Sequence, residues 1–410
     1  MDVVYPHCCG LDVHQREVVA CVVIPGTDGP VQKTLRRFST MTEGLEALAA
    51  WLREAGCVQV AMESTGVYGQ PVWNVREEVG GVELLLVNAR HARNVPGRKT
   101  DINDAKWLAD LLRHGLVRGS YVPHREQREL RERTRYRTEL IEERTAHVNR
   151  LQKTRETANI KLAAVATDIL GKSGREILTH LVAGSTDASA LAELARGKLR
   201  SKLPDLQRAL TGRLRPHHRC LLAELLAMID LLDERIDAVS AEITERERPF
   251  ADDLARLDTI PGIGQRVAEI IVAELGPDLA KCRTPAQVAS WAGLCPGHHE
   301  SGGKRRKGKT RSGNAAIRRA LVEAARAAAR TRTSLRAQDY RLKQRRGSQR
   351  AAVAVAHSII RSIFVVLTRK STSLDLGPDF FERRHAADTE QQLVRKLERL
   401  GYNVTLEKVA

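Results

Sequence analysis

The spacing of apolar residues changes along this chain, and that change limits what it can fold into. From Cys8 to about residue 92, the apolar runs CCGLDVH, REVVACVVI, KTLRRFS, VQVAME and VELLLVNA alternate with MTEGLEALAAWLREAG and QPVWNVREEVG. Runs of the first kind suit strands, and three-and-four spacing marks amphipathic helices. The order is therefore three strands, then helix, strand, helix, strand. A mixed α/β unit of this order is how a ribonuclease-H-like fold begins, although other α/β folds share it. After the basic loop RHARNVPGRKT comes the helix DINDAKWLADLLRHG, with Gly115 as its stop.

Helical spacing then takes over. Leu130, Leu140, Ile141, Val148 and Leu151 predict a Glu/Arg-dense helix over about 125–162. Leu221, Leu222, Leu225, Ile229, Leu232, Ile236, Val239 and Ile243 predict a second over about 216–247. The two read as an antiparallel or intersubunit coiled coil, serving as a spacer or as a nucleic-acid-binding arm. Residues 163–204 read as short helices with Gly-containing turns. In DTIPGIGQRVAEIIVAELG, the turn Pro261-Gly262-Ile263-Gly264 resembles a helix-hairpin-helix, whose backbone N–H groups could grip phosphate at Gly262 and Gly264. A basic loop, HHESGGKRRKGKTRSGN, precedes an Ala/Arg helix over about 315–332, and the tail holds a weak helix and a strand-like YNVTLE. The expected class is α/β plus all-α: a catalytic domain over 1–122, a coiled-coil region over 123–250, a mainly helical domain over 251–370 and a tail over 371–410. At 410 residues, two or three domains fit the length.

Lys and Arg number 67 against 50 acids, a net charge of +17 that calls for an anionic partner. The excess is localised, because residues 301–350 contain 17 Lys/Arg and only Glu323 and Asp339 as acids. A segment built this way is suited to phosphate. The hydrophobic share of 42% excludes global disorder, and the aromatic share of 4% argues against stacking platforms for single-stranded bases. No secretory signal opens the chain, and His357 and Arg361 interrupt the apolar stretch 351–367, so a buried helix is expected there rather than a membrane span. Seven cysteines without paired spacing point to a reducing cytoplasm, and Cys282, Cys295, His298 and His299 lack the spacing of a zinc site.

Four carboxylates and one serine carry the chemistry. Asp12 lies within the first strand, Glu63 ends the fourth, and Asp101 and Asp104 share a face of the helix they open. In this strand order the first and fourth strands can be neighbours, so Asp12 and Glu63 could converge beneath that helix. Carboxylates among apolar strands are costly unless a cation neutralises them, and hard oxygen ligands suit Mg²⁺ or Mn²⁺. Taken singly, each acid also has a structural reading, Asp101 as an N-cap, Asp104 as a first-turn acid and Glu63 as a surface strand end. Ser301 is flanked by Gly302 and Gly303, which allow close approach to phosphorus, and by Lys304, Arg305, Arg306, Lys307 and Arg311, which could hold phosphoryl charge. Lys309, Arg318 and Arg319 extend the basic face. A flexible linker is the competing reading of this loop, and Ser312 is a rival nucleophile that reads more naturally as an N-cap. His14 shares a face with Asp12 but is expected to be structural.

Six segments, GLDVH, MESTGVY, KTDINDAKWLADLLRHGL, IPGIGQRVAEIIVAELG, WAGLCPGHHESGGKRRKGKTRSGNAAIRRAL and RKLERLGYNVTLE, resemble, in order, the insertion-sequence transposase family numbered one hundred and ten. The resemblance implies a RuvC-like DEDD domain with Asp12, Glu63, Asp101 and Asp104 binding Mg²⁺. It also implies Ser301 as a nucleophile forming a covalent phosphoserine link, and a composite site assembled between subunits of a tetramer. A structured bridge RNA pairing with donor and target DNA is implied as well. Gln15 stands where a lysine is frequent, and TRSGN replaces a more basic run, which touches only peripheral phosphate contacts. A metal-only RuvC-like nuclease or junction resolvase, or a non-catalytic nucleic-acid scaffold, are the alternatives.

Overall fold

The computed structural model describes residues 2–26, 30–64, 66–87, 101–277, 279, 282–297, 300–301, 303–305, 310–384 and 386–405. The chain divides into two compact units, Met1–His124 and Arg125–Ala410.

The first unit is built on a six-stranded sheet comprising β1 (Cys8–Val13), β2 (Glu17–Ile24), β3 (Gln32–Ser39), β4 (Gln59–Ser64), β5 (Glu83–Val87) and β6 (Gly119–Ser120). Their order is β3-β2-β1-β4-β5-β6. The first three strands are antiparallel, β1, β4 and β5 are parallel, and β6 returns antiparallel. β1 and β2 are apolar on both faces because both faces are covered. One face carries α1 (Thr42–Glu54) and α2 (Gly69–Val79), with Leu45, Leu48 and Val72 against Leu11, Val60 and Met62. The other carries α3 (Asp101–Arg113), with Ala105, Leu108, Ala109 and Leu112 against Cys8, Cys21 and Ala61. At the sheet edge, β3 keeps Lys33, Arg36 and Arg37, charges that discourage further strand pairing. This mixed sheet agrees with the α/β expectation and is consistent with a ribonuclease-H-like domain.

The second unit is helical apart from one short hairpin among its described residues. α4 (Arg125–Thr157) and α9 (Pro216–Glu247) run antiparallel, since Arg133 pairs with Glu242, Arg144 with Asp233, and Thr157 lies beside His218. Leu140, Leu232 and Ile236 form part of their apolar seam. Leu221, expected at this seam, is exposed, while Leu226 is buried. Between the two helices, α5 (Leu162–Val165), α6 (Lys172–Val182), α7 (Ala188–Glu193), a 3₁₀ turn (Gly197–Lys202) and α8 (Leu203–Leu210) make a small module. Ile177, Leu178, Leu191 and Leu206 belong to its core.

The remaining helices are α10 (Ala251–Asp258), α11 (Gln265–Leu275), α12 (Pro285–Trp291), α13 (Ala315–Ala328), α14 (Ser334–Arg346), α15 (Ser348–Arg369), α16 (Phe380–Arg384) and α17 (Ala386–Arg399). β7 (Glu300–Ser301) and β8 (Lys304–Arg305) lie between α12 and α13. α15 is long and apolar enough to cross a membrane, but Val355, Ile359, Ile360 and Ile363 are buried in the common core with α10, α12 and α13. The expected strand in YNVTLE is absent from residues 402–405.

Candidate active site

In the first unit, backbone register brings two of the expected carboxylates together. β1 and β4 are parallel neighbours, and Asp12 stands opposite Glu63, so their Cα atoms sit one strand spacing apart, about 4.8 Å. Side-chain alternation sends Asp12 to the face of Cys8 and Gly10, and Glu63 to the face of Ala61, which is the face α3 covers. The close seat of α3 depends on Gly10. A Cβ there would meet the Ala105 carbonyl oxygen and lie 2.6 Å from the Ala109 amide nitrogen. Asp104, the residue before Ala105, is thereby carried onto the same side of the sheet, with its Oδ1 shielded from solvent. Asp101 opens the same helix, and its side chain lies outside the described residues.

His14 holds this group from the strand end. Its Nε2 lies 3.1 Å from Asp12 Oδ2, with Asp12 13% exposed and His14 52% exposed. The sequence offered only a shared strand face for that contact. Asp12, Glu63 and Asp104 are hard oxygen donors gathered on one face, the donor type that holds a divalent cation. Among the described residues no three His, Cys, Asp or Glu side chains stand arranged around a metal position. The thiols of Cys8, Cys9 and Cys21 lie in the same sheet, and burial pushes all three pKa values up, to about 12 for Cys8 and about 11 for Cys21, which leaves them as neutral packing groups.

In the second unit, Ser301 falls in a two-strand hairpin in place of an unstructured linker. β7 and β8 pair antiparallel with Ser301 opposite Lys304, and Gly303 turns the chain at φ +71°. The side chains of Ser301, Lys304 and Arg305, and all of Gly302, Arg306, Lys307 and Lys309, lie outside the described residues, as do His298 and His299.

The stem of this hairpin is clasped below. Pro296 bridges Thr310, the Arg311 N–H donates to the Cys295 carbonyl at 3.2 Å, and the Asn314 N–H donates to the Trp291 carbonyl at 3.0 Å. Gly313 passes against Gly293, where a Cβ would lie 2.5 Å from the Trp291 carbonyl oxygen. Asn314, and not Ser312, caps α13, its side chain accepting from the Ala316 and Ile317 amides. The Asn314 Nδ2 also donates to Glu274 at 2.5 Å, and Arg135 grips that carboxylate with two hydrogen bonds of 2.7 and 2.9 Å. Glu274 is fully buried. Its position in an apolar helical stretch gave no sign that it would anchor the basic loop.

Among the expected phosphate contacts, Arg311 is exposed, Arg318 is half-buried, and Arg319 is ion-paired with Glu142. Gly262, at φ +90°, is explained by packing, since a Cβ there would run into the backbone of α13, 2.8 Å from the Ala328 nitrogen. Gly264 is exposed and caps α11 with open space around it.

Two family models match this chain. One, described as a transposase and carrying the DEDD and IS110 designations, covers residues 9–158. The other, described as a transposase of the IS116/IS110/IS902 family, covers residues 254–341. Together they span more than half of the chain, the first including Asp12, Glu63, Asp101 and Asp104 and the second Ser301. A transposase for insertion sequence element IS1111A from Coxiella burnetii is 27% identical over 326 residues, covering 78% of this chain and 79% of its own length. A probable family 20 transposase from Pseudomonas aeruginosa is 28% identical over 317 residues, covering 76% of this chain and 84% of its own. Such enzymes cut and rejoin DNA, and a DEDD domain implies use of a divalent metal. The chain belongs to the IS110 family of transposases.

Proposed function

We propose that the chain moves an insertion sequence by strand cleavage and exchange, with Asp12, Glu63, Asp101 and Asp104 holding Mg²⁺, or Mn²⁺, and Ser301 as the nucleophile. The pairing of Asp12 with Glu63 on the face covered by the helix of Asp104 carries this reading. A cation held there would offset charge on the phosphoryl oxygens and on the attacking and leaving oxygens. His14 orients Asp12 through its Nε2 contact. As the Ser301 oxygen bonds to phosphorus, one phosphorus–oxygen bond to deoxyribose breaks; the serine gives its hydroxyl proton to solvent, and the released deoxyribose oxygen takes one up to become a free hydroxyl. The diester's energy stays in the phosphoserine, so religation needs no nucleotide. Donor and target DNA are the substrates. Their choice by a bridge RNA, and assembly of dimers into a tetramer, follow from the likeness to the family rather than from geometry.

Incubating the protein with element DNA, its flanking RNA and Mg²⁺ tests this. A protein–DNA adduct is expected for the parent chain and none for Ser301→Ala. Full cleavage by Ser301→Ala would leave the metal-only nuclease reading in its place.

A further inference from the structure

Residues 196–219 contain eight Lys and Arg against one acid, Asp205, a second concentration of positive charge remote in sequence from Ser301. Three of these cations are matched by acids, Arg196 by Glu176 at 2.7 Å, Arg200 by Glu193 at 3.2 Å and Arg208 by Asp205 at 3.6 Å. Among the described residues Lys198, Lys202, Arg213 and Arg215 have no acidic partner, and all four are exposed or partly exposed. They line two clefts in the module between α4 and α9. The first, about 700 Å³, takes Lys198 and Lys202 together with Lys172 and Ser173. Its one acid, Asp168, is occupied as an acceptor for the Leu170 N–H at 3.0 Å. The second, about 530 Å³, takes Arg213 and Arg215 with Thr157, Asn159, Thr211 and His218 and has no acidic lining residue. The Arg215 N–H donates to His218 Nδ1 at 3.2 Å, which leaves Nε2 to carry the ring proton.

The spacing distinguishes a polymer from a small anion. Lys198 and Lys202 precede α8, and Thr211 and Arg213 follow it, so the two cationic groups stand at opposite ends of an eight-residue helix, about 12 Å long. A single phosphate would engage only one end. A backbone carrying a charge at every nucleotide can engage both, and lysine, arginine, hydroxyl and amide donors are the groups that hold phosphate and sugar without reading bases.

We propose that this helical module binds the phosphate backbone of a nucleic-acid duplex, with Lys172, Lys198 and Lys202 on one stretch and Arg213 and Arg215 on the next. The site is independent of the serine chemistry and needs only that nucleic acid is the partner.

The test uses the full-length chain carrying Lys198→Gln, Lys202→Gln, Arg213→Gln and Arg215→Gln, and follows duplex RNA and duplex DNA binding by fluorescence anisotropy between about 50 and 200 mM salt. Loss of four phosphate contacts should weaken binding at least about tenfold and make the slope of log K against log salt shallower by about 3.6. The duplex showing the greater loss identifies the natural strand. Should the fourfold variant melt below its parent, the two pairs are measured separately, each expected to change the slope by about 2. Arg200→Gln with Arg208→Gln, whose charges are already matched, should change it by less than about one. Unaltered affinity and slope, an equal effect from that control, or a loss confined to polyglutamate or anionic vesicles would each overturn the proposal.

Discussion

An added methyl at Gly10 would press on the backbone of α3, whereas one at Gly264 meets nothing within 4 Å. Overpacking of this kind costs roughly 1–3 kcal/mol or more, so Gly10→Ala should lower the melting temperature of the first unit. Gly264→Ala, at an ordinary φ of −119°, should leave stability within about 0.5 kcal/mol. Gly10→Ala also lifts the first turn of α3, which bears Asp104, off the strand that bears Asp12. Its cleavage should therefore demand a higher divalent-cation concentration, a change that loss of folded protein alone does not produce. A cation titration with the two variants side by side reads the difference, and coincident titration curves would show that the seat of α3 does not govern the carboxylates.

Among the elements, the Ser301 hairpin is held by its stem, and Glu274 is the group on which the stem converges. Removing it leaves Arg135, which is 47% exposed, and the partly buried Asn314 amide without their shared acceptor, and a buried donor left without its acceptor costs about 1–3 kcal/mol. Glu274→Ala should accelerate amide exchange at residues 311–317 and lower the melting point, and Glu274→Gln, which keeps one acceptor oxygen, should do less of both. Equal exchange in all three proteins would remove Glu274 from the stem. The strands and the two long helices were legible in the sequence because apolar spacing reports which face of an element is buried. Asp12 beside Glu63 was legible too, since strand order follows from the order of elements. The contact between His14 and Asp12, the Asn314 cap and the Glu274 anchor were not, because each depends on which side chains meet in space. The basic stretch at 196–219 is hidden for another reason: acids elsewhere cancel it, so that outside 301–350 the chain sums to only +2.

At the scale of the whole molecule, the helical unit buries charge as well as apolar surface. Where α4, α9 and α11 meet, Arg137 and Glu269 form an ion pair of 2.6 Å with each side chain 3% exposed. Glu247 lies near them with both carboxyl oxygens buried and without a hydrogen-bond partner among the described residues. Burial, and then the negative charge of Glu269, push the Glu247 carboxyl from its ordinary 4.5 up to about 8, against the opposing pull of Arg137. Folding therefore favours the protonated acid. The stability this contributes is intact below the unfolded value of 4.5 and is lost progressively as the pH rises to about 8. A tenfold change in proton affinity is worth about 1.4 kcal/mol, so the full swing is on the order of a few kcal/mol. Thermal stability of the helical unit should fall as the pH rises from about 4.5 to about 8 in the parent chain, and Glu247→Gln, neutral throughout, should flatten that decline and melt higher at its upper end. Glu269→Gln leaves the buried Arg137 without its partner and should lower the melting point, while removing a charge that raises the Glu247 carboxyl should also make the decline with pH smaller. A Glu247→Gln profile parallel to the parent's would assign the alkaline decline to another group.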